Sequence, residues 1–222
     1  MNVVSSQKPL LEIQNLQVSL DSKQVLSGFS ASLQAGEKIA VTGESGSGKS
    51  TLLKCLLGFI RPDSGIIRII GKDLSSKNVW ELRKEIGYVP QEPDLGKGSV
   101  ESALNRPFQY KANKNLMPER DEIYDLFNIF RLDKDLLNKN VSQLSGGEKQ
   151  RIVIIITLLL KRKICLFDEA TSALDDITKE AVVAYLKERS DLSILTVTHD
   201  RHFLSICSRS YTLSKARGSK VY

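Results

Sequence analysis

The stretch Gly43-Glu44-Ser45-Gly46-Ser47-Gly48-Lys49-Ser50 decides how this chain is read. The apolar run Lys38-Ile39-Ala40-Val41 precedes it, and Thr51-Leu52-Leu53-Lys54-Cys55-Leu56-Leu57 follows it. That order is a buried strand, a glycine-rich turn and a helix, with the spacing G-x-x-x-x-G-K-[ST] of a phosphate-binding loop. Glycines let backbone N–H groups converge on phosphate oxygens with no Cβ in the way. A helix opening at Gly48 adds its partial positive end. Lys49 is placed to reach the β- and γ-phosphates of a nucleoside triphosphate. The Ser50 hydroxyl is placed for Mg²⁺, a hard cation that takes oxygen ligands. Gly43, Glu44, Ser45, Gly46, Ser47, Gly48, Lys49, Ser50 and Thr51 are therefore the candidate binding loop. An incidental lysine in a flexible Gly/Ser loop would not need an apolar strand before it and an apolar helix after it.

A second site is Ile164-Cys165-Leu166-Phe167-Asp168-Glu169. Four apolar residues followed by two acids put the acids at the carboxyl end of a central strand, where open α/β sheets bind ligands. Asp168 suits Mg²⁺ held through its water shell. Glu169, one residue on, points differently and can polarise an attacking water as a general base. A third site is Leu144-Ser145-Gly146-Gly147-Glu148-Lys149-Gln150-Arg151, a Ser-Gly-Gly turn opening a helix, which is another anion-binding arrangement.

With this third stretch the sequence resembles a family. Leu144 to Gly147 followed by Glu148-Lys149-Gln150-Arg151 is similar to the signature motif of ABC-type ATPases, and the resemblance covers nearly the whole chain. It implies a role for Gln91, after Tyr88-Val89-Pro90, as the glutamine that contacts Mg²⁺ and water and links to a transmembrane partner. It implies that Ser172-Ala173-Leu174-Asp175 communicates across a dimer, and that His199, after Thr196-Val197-Thr198, is the switch histidine near the γ-phosphate. It implies head-to-tail pairing of two copies, as a homodimer or with a related ATPase subunit. Each ATP then lies between the phosphate loop of one copy and Ser145, Gly146 and Gly147 of the other. Lys49, Gln91, Glu169 and His199 are the implied catalytic group, and Ser50, Gln91 and Asp168 the implied metal ligands.

The implied function is ATP hydrolysis powering transport through a separate transmembrane protein, at the cytoplasmic face of the membrane. A soluble ABC-type ATPase of DNA repair, chromosome handling or translation is the alternative. The short segment between Gln91 and Ser145 leaves no room for the coiled-coil insertion such proteins carry. A nucleotide-binding module without turnover is opposed by the intact Lys49, Asp168, Glu169 and His199. The sequence departs from the family at Leu20, where an aromatic residue usually stacks on adenine. No Tyr, Phe or Trp lies between Leu10 and Gln24. Asp168-Glu169-Ala170-Thr171 has Ala where many importers have Pro, which leans toward export.

The remainder of the chain is consistent with one α/β domain. Its 222 residues, 41% hydrophobic and 26% charged, are enough for a packed core and argue against global disorder. The formal charge of +6 fits a polyanionic ligand or a solvated basic face near anionic lipid. No basic stripe interleaved with aromatics points to nucleic acid. Cys55, Cys165 and Cys207 are widely spaced and suggest neither a disulfide framework nor a metal site. The N-terminus has no apolar run of a signal peptide. The longest apolar run, 152–160, falls short of the ~20 residues of a membrane helix.

Strands are expected at 10–18, 24–33, 38–41, 66–70, 86–89, 164–167, 193–197 and 211–213, with a turn at 215–218. Helices are expected after the phosphate loop and at 78–85, 146–161, 179–189 and 201–208. Strand-like runs stop from 92 to 141, where helices are expected at 99–105 and from Pro118 onward, with Ile123, Leu126, Phe127 and Phe130 at helical spacing. The expected fold is a P-loop nucleotide-binding core with a mixed sheet, a small β subdomain at its edge and a helical subdomain inserted at about 92–150.

Overall fold

The structure, a computed structural model, describes residues 8–214. The turn expected at 215–218 lies outside them. Two sheets form, and strand pairing is sorted between them. The first holds β1 (Leu11–Leu20), β2 (Lys23–Leu33), β4 (Ser64–Ile69) and β5 (Lys72–Asp73), in the order β2-β1-β4-β5 and antiparallel throughout. β1 and β2 are joined by a two-residue turn, Asp21-Ser22, with φ of 48° and 61°. Positive φ at both positions gives a turn whose twist matches that of the strands. The second sheet holds β3 (Lys38–Thr42), β6 (Ile86–Val89), β7 (Ile164–Asp168), β8 (Ser193–Val197) and β9 (Arg209–Thr212). Its order is β6-β7-β8-β3-β9, parallel throughout. Every residue of β7 and β8 is buried, as expected for parallel strands covered on both faces.

Alternation along β7 divides the core. Ile164 and Leu166 face the antiparallel sheet and α1 (Lys49–Leu56), whose Leu52, Leu53 and Leu56 pack there. Cys165 and Phe167 face the opposite side. That side is covered by α3 (Val100–Asn105), α4 (Arg120–Ile129), α5 (Gly146–Leu159) and α6 (Asp176–Glu188). The short α2 (Val79–Leu82) precedes β6. Among the described residues, 90–163 contain helices and 3-10 turns but no strand, and the bridge Ser99↔Asn140 ties two distant parts of that segment together.

Of the helix boundaries that differ from the sequence reading, two have a clear cause. α6 begins at Asp176, not Lys179, because the Asp175 side chain caps it by accepting the Thr178 N–H at 2.9 Å. α7 covers only Arg201–Leu204, because the chain must then turn back for Ser208 N–H to reach Lys38 O and for β9 to join β3.

Candidate functional site

The strand order brings the chemistry together. β7, β8 and β3 are adjacent and parallel, so their carboxyl ends open on one side. There they deliver Asp168 and Glu169, His199, and the glycine-rich loop. Gln91 follows the end of β6, on the outer side of β7. The result is a cleft of about 520 Å³ lined by Ser45, Gly46, Gly48, Lys49, Ser50, Thr51, Gln91, Asp168, Glu169 and His199, with Val25 and Val197 as its apolar wall.

The loop is held tightly from below. Gly43 has φ 149°, and a Cβ there would lie 2.4 Å from the Leu213 carbonyl oxygen. Gly48 has φ 99°, and a Cβ there would meet Leu26 and Val25 at 2.8 and 2.9 Å. Side chains at these positions would displace the loop from the sheet. Gly48 also starts α1 without any side-chain cap, so the first N–H groups of that helix are open to a ligand. Lys49 folds back across the loop, its Nζ donating to Gly43 O at 2.6 Å and Glu44 O at 3.0 Å. The Ser47 hydroxyl is buried beneath the loop, with no hydrogen-bond partner among the described residues.

The acids sit opposite. Asp168 is 7% exposed. Burial and the neighbouring Glu169 raise its pKa above the usual carboxylate range, against the Tyr88 hydroxyl, which donates to it at 3.3 Å, and Lys49. Burial pushes the Tyr88 hydroxyl itself up to about 12, so it remains a donor. Glu169 takes a left-handed backbone, φ 45°, which turns the chain sharply after the strand. The Gln91 amide donates to Glu169 at 3.2 Å, across the mouth of the cleft.

Residues 26–172 match the sequence model of the family described as ABC transporter. The chain belongs to that family. Its relatives include the probable iron export ATP-binding protein FetA of Escherichia coli (strain K12), 36% identical over 95% of this chain and 93% of FetA. The energy-coupling factor transporter ATP-binding protein EcfA1 of Enterococcus faecalis (strain ATCC 700802 / V583) is 36% identical over 87% of this chain and 71% of its own. A solved structure of an ATP binding subunit of an ABC transporter superposes with a TM-score of 0.81 at 26% identity, over 94% of this chain and 88% of that one. The fold is that of an ABC ATPase cassette, and ATP is the nucleotide of the family.

The family resemblance gives Ser145, Gly146 and Gly147 to the site of a partner copy, and they do not line this chain's own cleft. Ser145 and Gly146 are exposed, at the start of α5. Leu20 is also absent from the lining. It is 39% exposed, at the end of the β1–β2 hairpin and paired with Lys23. Val25, further along the same hairpin, lies beside Gly48 and lines the cleft. Nothing local marks Val25, because its position depends on β2 passing over the loop. Tyr88 was likewise missed as a partner of Asp168. Nothing in the sequence marks this contact, because it depends on β6 lying beside β7 with Tyr88 in register with Leu166, two residues before the aspartate.

Proposed function

We propose that this chain is the ATP-hydrolysing subunit of an ABC transporter and drives transport through a separate transmembrane partner from the cytoplasmic face. The convergence of loop, acids and histidine in one cleft carries this reading. Lys49 would leave the two loop carbonyls and bind the β- and γ-phosphates, helped by the uncapped N–H groups of α1. Glu169 would take the proton of the attacking water as its oxygen bonds to the γ-phosphorus and the bond to the ADP oxygen breaks. His199 and Gln91 would orient that water. Positioning and charge neutralisation carry most of the rate enhancement in such chemistry.

The donor set fits Mg²⁺. Ser50, Gln91 and Asp168 offer hard oxygens within one cleft, and among the described residues only the Tyr88 hydroxyl hydrogen-bonds Asp168. Among the described residues no cluster of His, Cys, Asp and Glu suits another metal. When bound, Mg²⁺ would supply charge neutralisation for the triphosphate.

The exposed signature turn supports pairing of two copies, with Ser145, Gly146 and Gly147 of one completing the site of the other. Residues 92–150 are, in this reading, the helical subdomain that carries the turn. No described helix is long and apolar enough to cross a membrane. Phe59 and Trp80, 67% and 74% exposed and both stacked on the Arg83 guanidinium, support a protein partner on that face. Export is the direction we favour, on Ala170 and on the likeness to FetA.

Phosphate release from ATP tests the reading. Turnover should require Mg²⁺ and stop with a chelator, and the chain should co-purify with a hydrophobic subunit. Absence of turnover in that complex would remove the reading.

A further inference from the structure

Behind Glu169 and His199 lies a second cavity, of about 340 Å³, which shares those two side chains with the nucleotide cleft. Thr171, Lys179, Asp200 and His202 also line it. Neither Thr171 nor Asp200 lines the nucleotide cleft.

The turn after β7 is held in an uncommon conformation. Glu169, with its positive φ, donates its N–H to Val197 O at 2.8 Å and accepts the Ser172 N–H at 3.0 Å. Two residues on, the Thr171 hydroxyl, on a residue 1% exposed, donates to Asp200 Oδ2 at 2.8 Å. Asp200 directly follows His199. Its carboxylate therefore ties the turn carrying Glu169 to the turn carrying His199.

Asp200 is itself well anchored. Its side chain is 12% exposed, its Oδ1 accepts the His202 N–H at 2.8 Å, and its own N–H donates to Thr198 Oγ1 at 3.0 Å. Lys179 Nζ lies 3.8 Å from Oδ2, and His202 Nδ1 lies 3.2 Å from Oδ1. Burial alone would raise its pKa, but these partners together lower it, so it stays an acceptor.

We propose that Asp200 is a positioning residue for hydrolysis: through Thr171 it fixes Glu169 and His199 relative to each other, and hence the place of the attacking water. This rests on the ATPase reading above. A purely local role, capping the short α7, uses only Oδ1. The tie to Thr171 uses Oδ2 and serves no helix, so the two roles can be separated by mutation.

The experiment is steady-state phosphate release and equilibrium ATP binding on the full chain, with its membrane partner where the isolated chain does not turn over. Thr171→Val removes the hydroxyl and leaves the cap of α7 intact. It should lower kcat about tenfold while KM and the Kd for ATP stay within about twofold. Thr171→Ser should keep kcat within about twofold of wild type, because the hydroxyl is retained. Asp200→Ala removes the tie and the α7 cap together and should be at least as slow as Thr171→Val, and the double variant should be no slower than Asp200→Ala alone. If Thr171→Val does not fold, Thr171→Ala carries the same test. Wild-type kcat in Thr171→Val or Thr171→Ala, or a loss of ATP affinity as large as the loss of kcat, would overturn the proposal. Wild-type protein that releases phosphate no faster than Glu169→Gln would instead defeat the ATPase reading itself.

Discussion

The molecule has two glycine-rich turns that open helices, and they are built in opposite ways. The loop at Gly43 to Lys49 is tucked against β2 and against Leu213 just after β9, and Gly48 starts α1 with no side-chain cap. The turn at Ser145 to Gly147 is exposed at Ser145 and Gly146 and closed by a capping box. Ser145 Oγ accepts the Glu148 N–H at 3.2 Å, and Glu148 Oε2 accepts the Ser145 N–H at 2.7 Å. An uncapped helix start has orphan N–H donors and strongly attracts an anion. A capped one has already satisfied some of them. The first turn can therefore capture a triphosphate within one chain. The second is a stable, weaker surface suited to meeting a phosphate already held elsewhere.

The largest expected effect lies on the cleft side of this comparison. Glu169→Gln should lower turnover about 10³-fold, the scale of a lost general base, and leave ATP binding within about twofold of wild type. Uncleaved ATP should then hold two copies together, visible as a dimer on size-exclusion chromatography with ATP. Near wild-type phosphate release would remove Glu169 from its role.

A smaller effect is expected at the base. Val25 offers an apolar edge but no ring. Selectivity between ATP and GTP should stay within about a factor of ten, or about 1.4 kcal/mol. Leu20→Tyr should tighten ATP binding by less than that factor, because a ring on the hairpin end can reach beyond Val25 and stack. Titration of both nucleotides against wild type and mutant checks this. Strong ATP selectivity in wild type with no gain from Leu20→Tyr would mean another residue reads the base.

The smallest effect concerns stability. Burial raises the Asp168 pKa in the folded chain. A carboxyl raised in this way stabilises the fold fully below the unfolded pKa, and that contribution is lost as pH rises through the folded value. Ionising Asp168 in the ligand-free chain is therefore a cost, and it grows as pH rises. Asp168→Asn should raise the apo Tm at pH 7 by about 2 °C, and the gain should shrink toward acid pH. Thermal scans at the two pH values decide it; an equal gain at both would show that charge is not the cause.

What could be read from the sequence follows the range of the interactions. The phosphate loop and Asp168-Glu169 were legible because their chemistry is local: a strand end, fixed spacing and a helix start. Gln91 and His199 are ordinary residues by themselves, and only their order along the chain made them candidates. The structure adds that β6 and β8 end beside β7. Val25 was not legible, since its contact with Gly48 depends on the path of β2. The Thr171–Asp200 tie was hidden for the same reason, as it spans two turns 29 residues apart. The left-handed backbone at Glu169 has no signal in a glutamate side chain. Sorting of parallel and antiparallel strands into two sheets was also hidden, because a short apolar run looks the same in either.

The central claim is that the two turns work on one nucleotide from different copies. The most direct test is ATP binding by monomeric protein, comparing Ser145→Arg with Lys49→Ala. Ser145→Arg should bind ATP within about twofold of wild type yet show no turnover, because the arginine blocks only the partner's phosphate. Lys49→Ala should lose most of its binding as a monomer. If Ser145→Arg abolishes monomer binding as completely as Lys49→Ala, both turns belong to a single-chain site and the account is contradicted.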